Sequence, residues 1–148
     1  MKFLLVAITA VLSIINTKAS ASDEIKVSAA VLTSFNSSFK NVSEVAWKTT
    51  GNFYKANFAM NGQYVTAFYD ATAKLVAVTR NVSSVQLPVT LQTALKKSYE
   101  AYWISDLFEL SDENGTSYYV TVENGDAKIT LKSTQVNEWT VYQKSRKS

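Results

Sequence analysis

A chain with neither histidine nor cysteine lacks the side chain that most often moves protons or binds metals near neutral pH. It also lacks the thiolate that nucleophilic catalysis and ordinary zinc sites require. Carboxylates remain, and Asp112, Glu113 and Asp126 lie close together in sequence. They fall in or beside turn signals, where Asp and Asn are common because their side chains bond nearby backbone, so a calcium or acid–base role has little support. The four glycines all stand in turn contexts and none belongs to a phosphate-cradling loop, while the abundant serines carry no hydrolase motif. The expectation is a protein that is not an enzyme and has no cofactor and no metal site. The chemistry left is adhesion: Phe53, Tyr64, Phe68, Tyr119 and Tyr142, with Lys55 and Arg80, fall on strand positions that alternate away from the predicted core. Exposed aromatic clusters with a charged rim mark interaction surfaces. The plain alternative is cross-strand pairing that stiffens a sheet, and the residues alone leave both readings open.

The elements that would carry these side chains follow from periodicity. Val31, Leu32, Phe35 and Phe39 recur at helical spacing, predicting an amphipathic helix from Asp23 to Phe39 capped by Ser22 or Asp23. The period then changes to two. Strands are predicted around Val45 and Trp47, over Phe53 to Met60, Tyr64 to Tyr69 and Leu75 to Arg80, joined by turns at Gly51-Asn52, Asn61-Gly62 and Asp70 to Ala73. Pro88, the only proline, opens a second helix bearing Leu91, Leu95 and Tyr99. Strands at Ile104 to Leu110, Tyr118 to Glu123, Lys128 to Ser133 and Glu138 to Gln143 follow. One constant offset carries Phe35 to Tyr99, Phe39 to Trp103, Tyr54 to Tyr118, Val65 to Ile129 and Leu75 to Trp139, which reads as an internal duplication. The expected fold is α+β, with two tandem units over 22–86 and 87–148 in one compact domain, each a helix packed on a four-stranded antiparallel sheet.

The N-terminus reads as a secretory signal over 1–21. Lys2 precedes a short apolar stretch from Phe3 to Ile15, and Ala19-Ser20-Ala21 offers the small residues of a cleavage site after Ala21. The stretch is shorter than the roughly 20 residues of a membrane span, so no span is expected after cleavage, a retained helical anchor being the alternative. Lys2 and Lys18 leave with the signal and lower the formal charge of +3. The remaining cations are interspersed with acids, which argues against nucleic acid, and the basic tail Lys144 to Lys147 reads as a solvated end. An exported chain without disulfides points to a bacterial periplasm or cell surface.

The run Phe35-x-x-x-Phe39, then Val45-Ala46-Trp47, then Gly51-x-Phe53-Tyr54-x-Ala56-x-Phe58, then Leu87-Pro88 with Leu91, Leu95 and Tyr99 resembles the PepSY-like family of exported Bacteroidetes proteins, whose fold is related to beta-lactamase inhibitory protein. The resemblance covers about Val27 to the C-terminus and rests on hydrophobic and turn positions. It implies sheets side by side with one face open, and in the inhibitor an open concave face docks a partner protein. This chain lacks that inhibitor's disulfides, and no inhibitory motif transfers residue by residue.

The leading functional expectation is a periplasmic or secreted, non-catalytic binding or inhibitory module that docks an unknown protein or peptide on its open sheet face. Its partner-binding residues would be Phe53, Lys55, Tyr64, Phe68, Arg80, Tyr119 and Tyr142. The alternative is a structural or envelope-stress protein with a self-association surface. A small-ligand carrier or an enzyme has the weakest support.

Overall fold

The computed structural model describes residues 25–135 and 137–148. Within them the order is helix α1 (Ala29–Ser38), strands β1 (Ser43–Thr50), β2 (Phe53–Met60), β3 (Gln63–Tyr69) and β4 (Leu75–Asn81), a single 3-10 turn (Ser84–Gln86) and helix α2 (Val89–Tyr99). Strands β5 (Trp103–Asp112), β6 (Gly115–Glu123), β7 (Ala127–Gln135) and β8 (Glu138–Arg146) complete the chain. The eight strands form one antiparallel sheet in the order β1-β2-β3-β4-β5-β6-β7-β8. This corrects the expected two helix-on-four-strand units. Strand β4 does not end a first sheet but pairs with β5, from Ala77 opposite Asp112 to Asn81 opposite Phe108. The helices are short beside that sheet, so the molecule is mostly strand.

Local chemistry explains the element ends. Helix α1 begins at Ala29 because the Ser28 hydroxyl accepts the Val31 N–H at 3.3 Å, satisfying a donor that the first turn cannot pair internally. The Ser22 and Asp23 caps expected from sequence lie outside the described residues. At the β2–β3 hairpin Asn61 and Gly62 both take positive φ, 51° and 76°, as a type I′ turn demands. Asp70 Oδ1 accepts from Thr72 N at 2.9 Å and Lys74 N at 3.0 Å, closing the β3–β4 turn, and Asn124 Oδ1 closes the β6–β7 turn in the same way. Pro88 stands at the N-cap of α2.

By contact the chain divides into two compact units, one spanning residues up to 62 with 66–76, the other 63–65 with 77–148. In the first, Phe35 of α1 meets Trp47 of β1 and Phe58 of β2, each at 5.2 Å between ring centres, both edge to face. Trp47 in turn lies 6.2 Å from Tyr69 of β3. Val31 and Phe35 are the buried stripe of α1, whereas Leu32 is exposed. In the second unit Leu87, Leu91 and Leu95 pack on Leu107, Val120, Val122, Ile129 and Leu131. Trp139 covers this core and donates its indole N–H to the Leu91 carbonyl at 2.9 Å. Trp47 and Trp139 therefore both sit on the helix side.

Trp47 is half-buried, so Trp47→Ala should cost about 3 kcal/mol, the lower end for losing a large packed aromatic. Chemical denaturation checks this, and an unchanged midpoint would show that α1 does not depend on that ring.

Candidate interaction face

Side chains alternate across a strand and directly opposed residues share a face, so the two core clusters assign every neighbour a side. In the first unit Ala56 and Phe58 face the helix, which turns Lys55 and Asn57 of β2 outward. Lys55 lies opposite Lys48. The outward side chains interlock: Thr66 donates to Asn57 at 2.8 Å, and Lys55 Nζ lies 5.9 Å from the centre of the Phe68 ring. Burial, with Lys48 adding like-charge repulsion, holds the Lys55 ammonium below its usual pKa. Phe53 is half-buried on this side.

The second unit builds a larger version. Leu107 and Val120 belong to the helix-side core, so Phe108 and Tyr119, directly opposed, point the other way. Their rings stack at 5.1 Å with 9° between planes, and Tyr142 meets Tyr119 edge-on at 5.4 Å. Lys132 Nζ sits 5.5 Å from the Tyr119 ring centre, a cation on a π face. Beside it Thr121 and Thr130 share a hydrogen bond at 3.0 Å, buried on a face that has no helix on it. Tyr119 is 1% exposed and its hydroxyl finds no partner among the described residues. Burial, then the neighbouring Tyr142 and Asp112, pushes its phenol pKa up. Asp106, opposite Thr121, is likewise pushed up by burial, with Lys128 opposing.

These placements revise several expectations. Lys55 and Phe68 do come together, as do Tyr119 and Tyr142, each pair within its own unit, while Phe53 only shares the side of Lys55 on β2. Tyr64 is 67% exposed, whereas Phe68 is 4% exposed and cannot be the freely accessible ring that simple alternation implied. Arg80 is on the other face. It lies opposite Glu109, which lies opposite Tyr118, a half-buried ring packed on the helix-side core. There Arg80 Nε and Nη2 donate to the two Glu109 oxygens at 2.9 and 3.1 Å, and Nη1 to Gln63 at 3.3 Å. The arginine hydrogen bonds hold the Glu109 carboxyl below the usual range. Lys144, in the tail read as a solvated end, lies opposite the core residue Ile129, because the pairing skips Tyr142 between Val141 and Gln143. That bulge shifts the alternation by one. The basic tail is not a free end: Lys147 Nζ pairs with Glu123 at 3.0 Å and sits 4.5 Å from the Trp103 ring centre.

Phe108 and Leu110 were missed. Their signal was legible: Leu107-Phe108 followed by Leu110 puts apolar residues on both parities, which marks a strand buried on both faces. Among the described residues no group of acids could hold a metal ion, and no helix is long and apolar enough to cross a membrane.

No family model matches the sequence, and no curated protein matches it significantly. Solved structures do share the fold. A BLIP-like protein from Bacteroides fragilis is 23% identical, with a TM-score of 0.70 over 83% of this chain and 88% of that one. A DUF2874 family protein from Bacteroides uniformis is 18% identical, with a TM-score of 0.73 over 82% of this chain and 90% of its own. A Bacteroides eggerthii protein provisionally assigned to the periplasm is 15% identical, with a TM-score of 0.74 over 82% and 89%. At these identities the likeness is one of fold. It agrees with the BLIP-related part of the resemblance drawn from the motifs, while the PepSY-like part has no match.

Two predictions follow from these placements. Tyr64→Ser should change stability by less than about 1 kcal/mol, whereas Phe68→Ser should cost about 3 kcal/mol or more, because only the second empties a packed site; parallel urea titrations separate them. For Glu109, the folded pKa is lowered from 4.5, so the unfolded chain holds more protons through the intervening window and stability there rises with pH. The contribution is complete above about pH 4.5 and is lost as pH falls through the lowered value. Glu109→Gln should flatten that part of the stability curve relative to the native chain, and parallel curves would disprove the pairing.

Proposed function

We propose that this chain is an exported, non-catalytic docking module that binds an acidic protein or peptide on the sheet face that, within each unit, is turned away from that unit's helix. The observation that carries this reading is the pairing of a lysine with a packed aromatic ring on that face, Lys55 with Phe68 in one unit and Lys132 with Tyr119 in the other. The buried rings act as rigid platforms. Lysines outnumber acids among the charged side chains they present: Lys48 shares a face with Lys55, and Lys128 with Thr121, Thr130 and Lys132, while of the acids there, Asp106 lies opposite Thr121 and Glu123 is paired with Lys147. A solvated face has no need to order lysine ammonium groups over aromatic rings, whereas a docking face gains from it: less side-chain entropy remains to be lost on binding, and charge complementarity selects the partner. Tyr64, 67% exposed, adds an aromatic anchor of the type that dominates interface energetics.

Export is part of the same proposal. The charged start, short apolar stretch and Ala19-Ser20-Ala21 site support a signal cleaved after Ala21 and a periplasmic or secreted destination, and the provisional periplasmic assignment of the fold neighbour from Bacteroides eggerthii agrees. The absence of histidine and cysteine supports a role without catalysis.

The test is capture from periplasmic extract by the native chain and by Lys55→Glu/Lys132→Glu. A bound protein should elute at moderate salt and be lost with the charge-reversed variant, whose melting temperature should stay within a few degrees of native. Capture that survives both reversal and salt would contradict the reading, and a native chain that captures only itself would favour self-association.

A further inference from the structure

On the helix side of the second unit, α2, the 3-10 turn and strands β5 and β6 enclose a groove of about 760 Å³, within the usual range for small-molecule sites, roughly 300 to 1,000 Å³. It lies on the opposite face from the docking surface above and does not depend on that reading. Its lining includes Leu87, Leu95, Ile104 and Val122. Leu87, Leu95 and Val122 are buried, but Ile104 is 41% exposed and Val85, also lining the groove, 77% exposed, so apolar surface is left uncovered where α2 stops short of the sheet below it. Tyr99 and Tyr102, edge to face at 5.4 Å, contribute further apolar wall.

Polar side chains also line the groove, and those of Gln92 and Thr93 are committed, Thr93 Oγ1 donating to the Val89 carbonyl at 2.9 Å. Gln92 Nε2 donates to the carbonyls of Leu87 at 2.8 Å and Val85 at 3.4 Å, which ties the 3-10 turn to the helix as a wall and occupies acceptors that an incoming peptide backbone would need. A ligand here therefore carries no run of amides, since each one buried without a partner is costly. Charge enters at one place. Lys96 and Lys97, exposed in the last turn of α2, both line the groove, and neither is ion-paired among the described residues; Glu100 is the acid beside them.

We propose that this groove binds an amphiphile with one long acyl chain and an anionic head, specifically a long-chain fatty acid, with the chain laid over Leu95, Ile104 and Val122 and the carboxylate held by Lys96 and Lys97. The juxtaposition of uncovered apolar lining with paired free cations selects both halves of the molecule. An alkyl chain matches a wall whose accessible area is mainly apolar, and a carboxylate supplies the counter-charge that Glu100 alone does not.

The probe is palmitate, kept below its aggregation concentration and titrated calorimetrically into the full chain, with hexadecyltrimethylammonium as the equal-length cation and an acidic extended peptide as the rival occupant. Palmitate should bind one to one, and NMR shifts should cluster on Leu95, Tyr102 and Ile104. Lys96→Gln/Lys97→Gln should weaken it about tenfold or more, the loss expected from removing charge-assisted contacts. Ile104→Asp, at a half-open position, should abolish binding while leaving the melting temperature near native. Failure of palmitate to bind, equal affinity for the cationic amphiphile, insensitivity to the lysine substitutions, or displacement of palmitate by the peptide would each overturn the proposal. None of these outcomes would alter the salt- and Lys55/Lys132-dependent capture expected of the other face.

Discussion

The pairing of β4 with β5 is the constraint on which the rest of the molecule depends. From Ala77 opposite Asp112 to Asn81 opposite Phe108, it turns what would be two separate edges, each a row of unsatisfied backbone groups, into the interior of one sheet. It also decides sidedness. Once Arg80 lies opposite Glu109 and Glu109 opposite Tyr118, the arginine must share a face with the helix-side core, and its bidentate contact with Glu109 locks that register. Thr79, opposite Leu110, then falls on the other face, where both are buried.

Among the described residues no helix packs on that other face, and its chemistry shows how a sheet manages without one. Apolar rings packed against each other, Phe108 on Tyr119 and Tyr142 against its edge, remove area from water at about 25 cal/mol per Å². The lysine ammonium groups of Lys55 and Lys132 lie over the Phe68 and Tyr119 rings, cations held on π faces. Thr121 and Thr130 satisfy each other's hydroxyls. The result is a stiff surface whose accessible layer is charged while its support is aromatic, and rigid support is what a binding surface gains from most, because little flexibility remains to be lost on docking.

Much of this was legible in the sequence. The order of helices and strands, the turns at Gly51-Asn52, Asn61-Gly62 and Asp112 to Gly115, and the helix-side placement of Trp47 and Trp139 all follow from local period and turn chemistry, which act over a few residues. The union of the strands into one sheet did not, because β4 and β5 are separated by a helix and their pairing is a long-range choice that no local pattern encodes. Faces were legible only where strands run without interruption. The bulges at Ser105 and Tyr142 each advance the alternation by one residue, which puts Lys144 opposite the core residue Ile129. Phe68 and Tyr119 were assigned the right side but the wrong exposure, since alternation gives direction and not cover. Helix α1 begins at Ala29 because Ser28 supplies its cap, and periodicity alone does not say which Ser or Asp before the apolar stripe will cap it.

The most direct test of this account is a cross-strand NOE map of the β4–β5 ladder. A single sheet predicts contacts between the backbones of 77–81 and 108–112 in the register that sets Thr79 opposite Leu110 and Arg80 opposite Glu109, with slow amide exchange along both strands. If those contacts were missing while the ladders within β5 to β8 remained intact, or if Arg80 showed contacts to the outward side chains of Phe108 or Tyr119, the continuity of the sheet and the sidedness drawn from it would be contradicted.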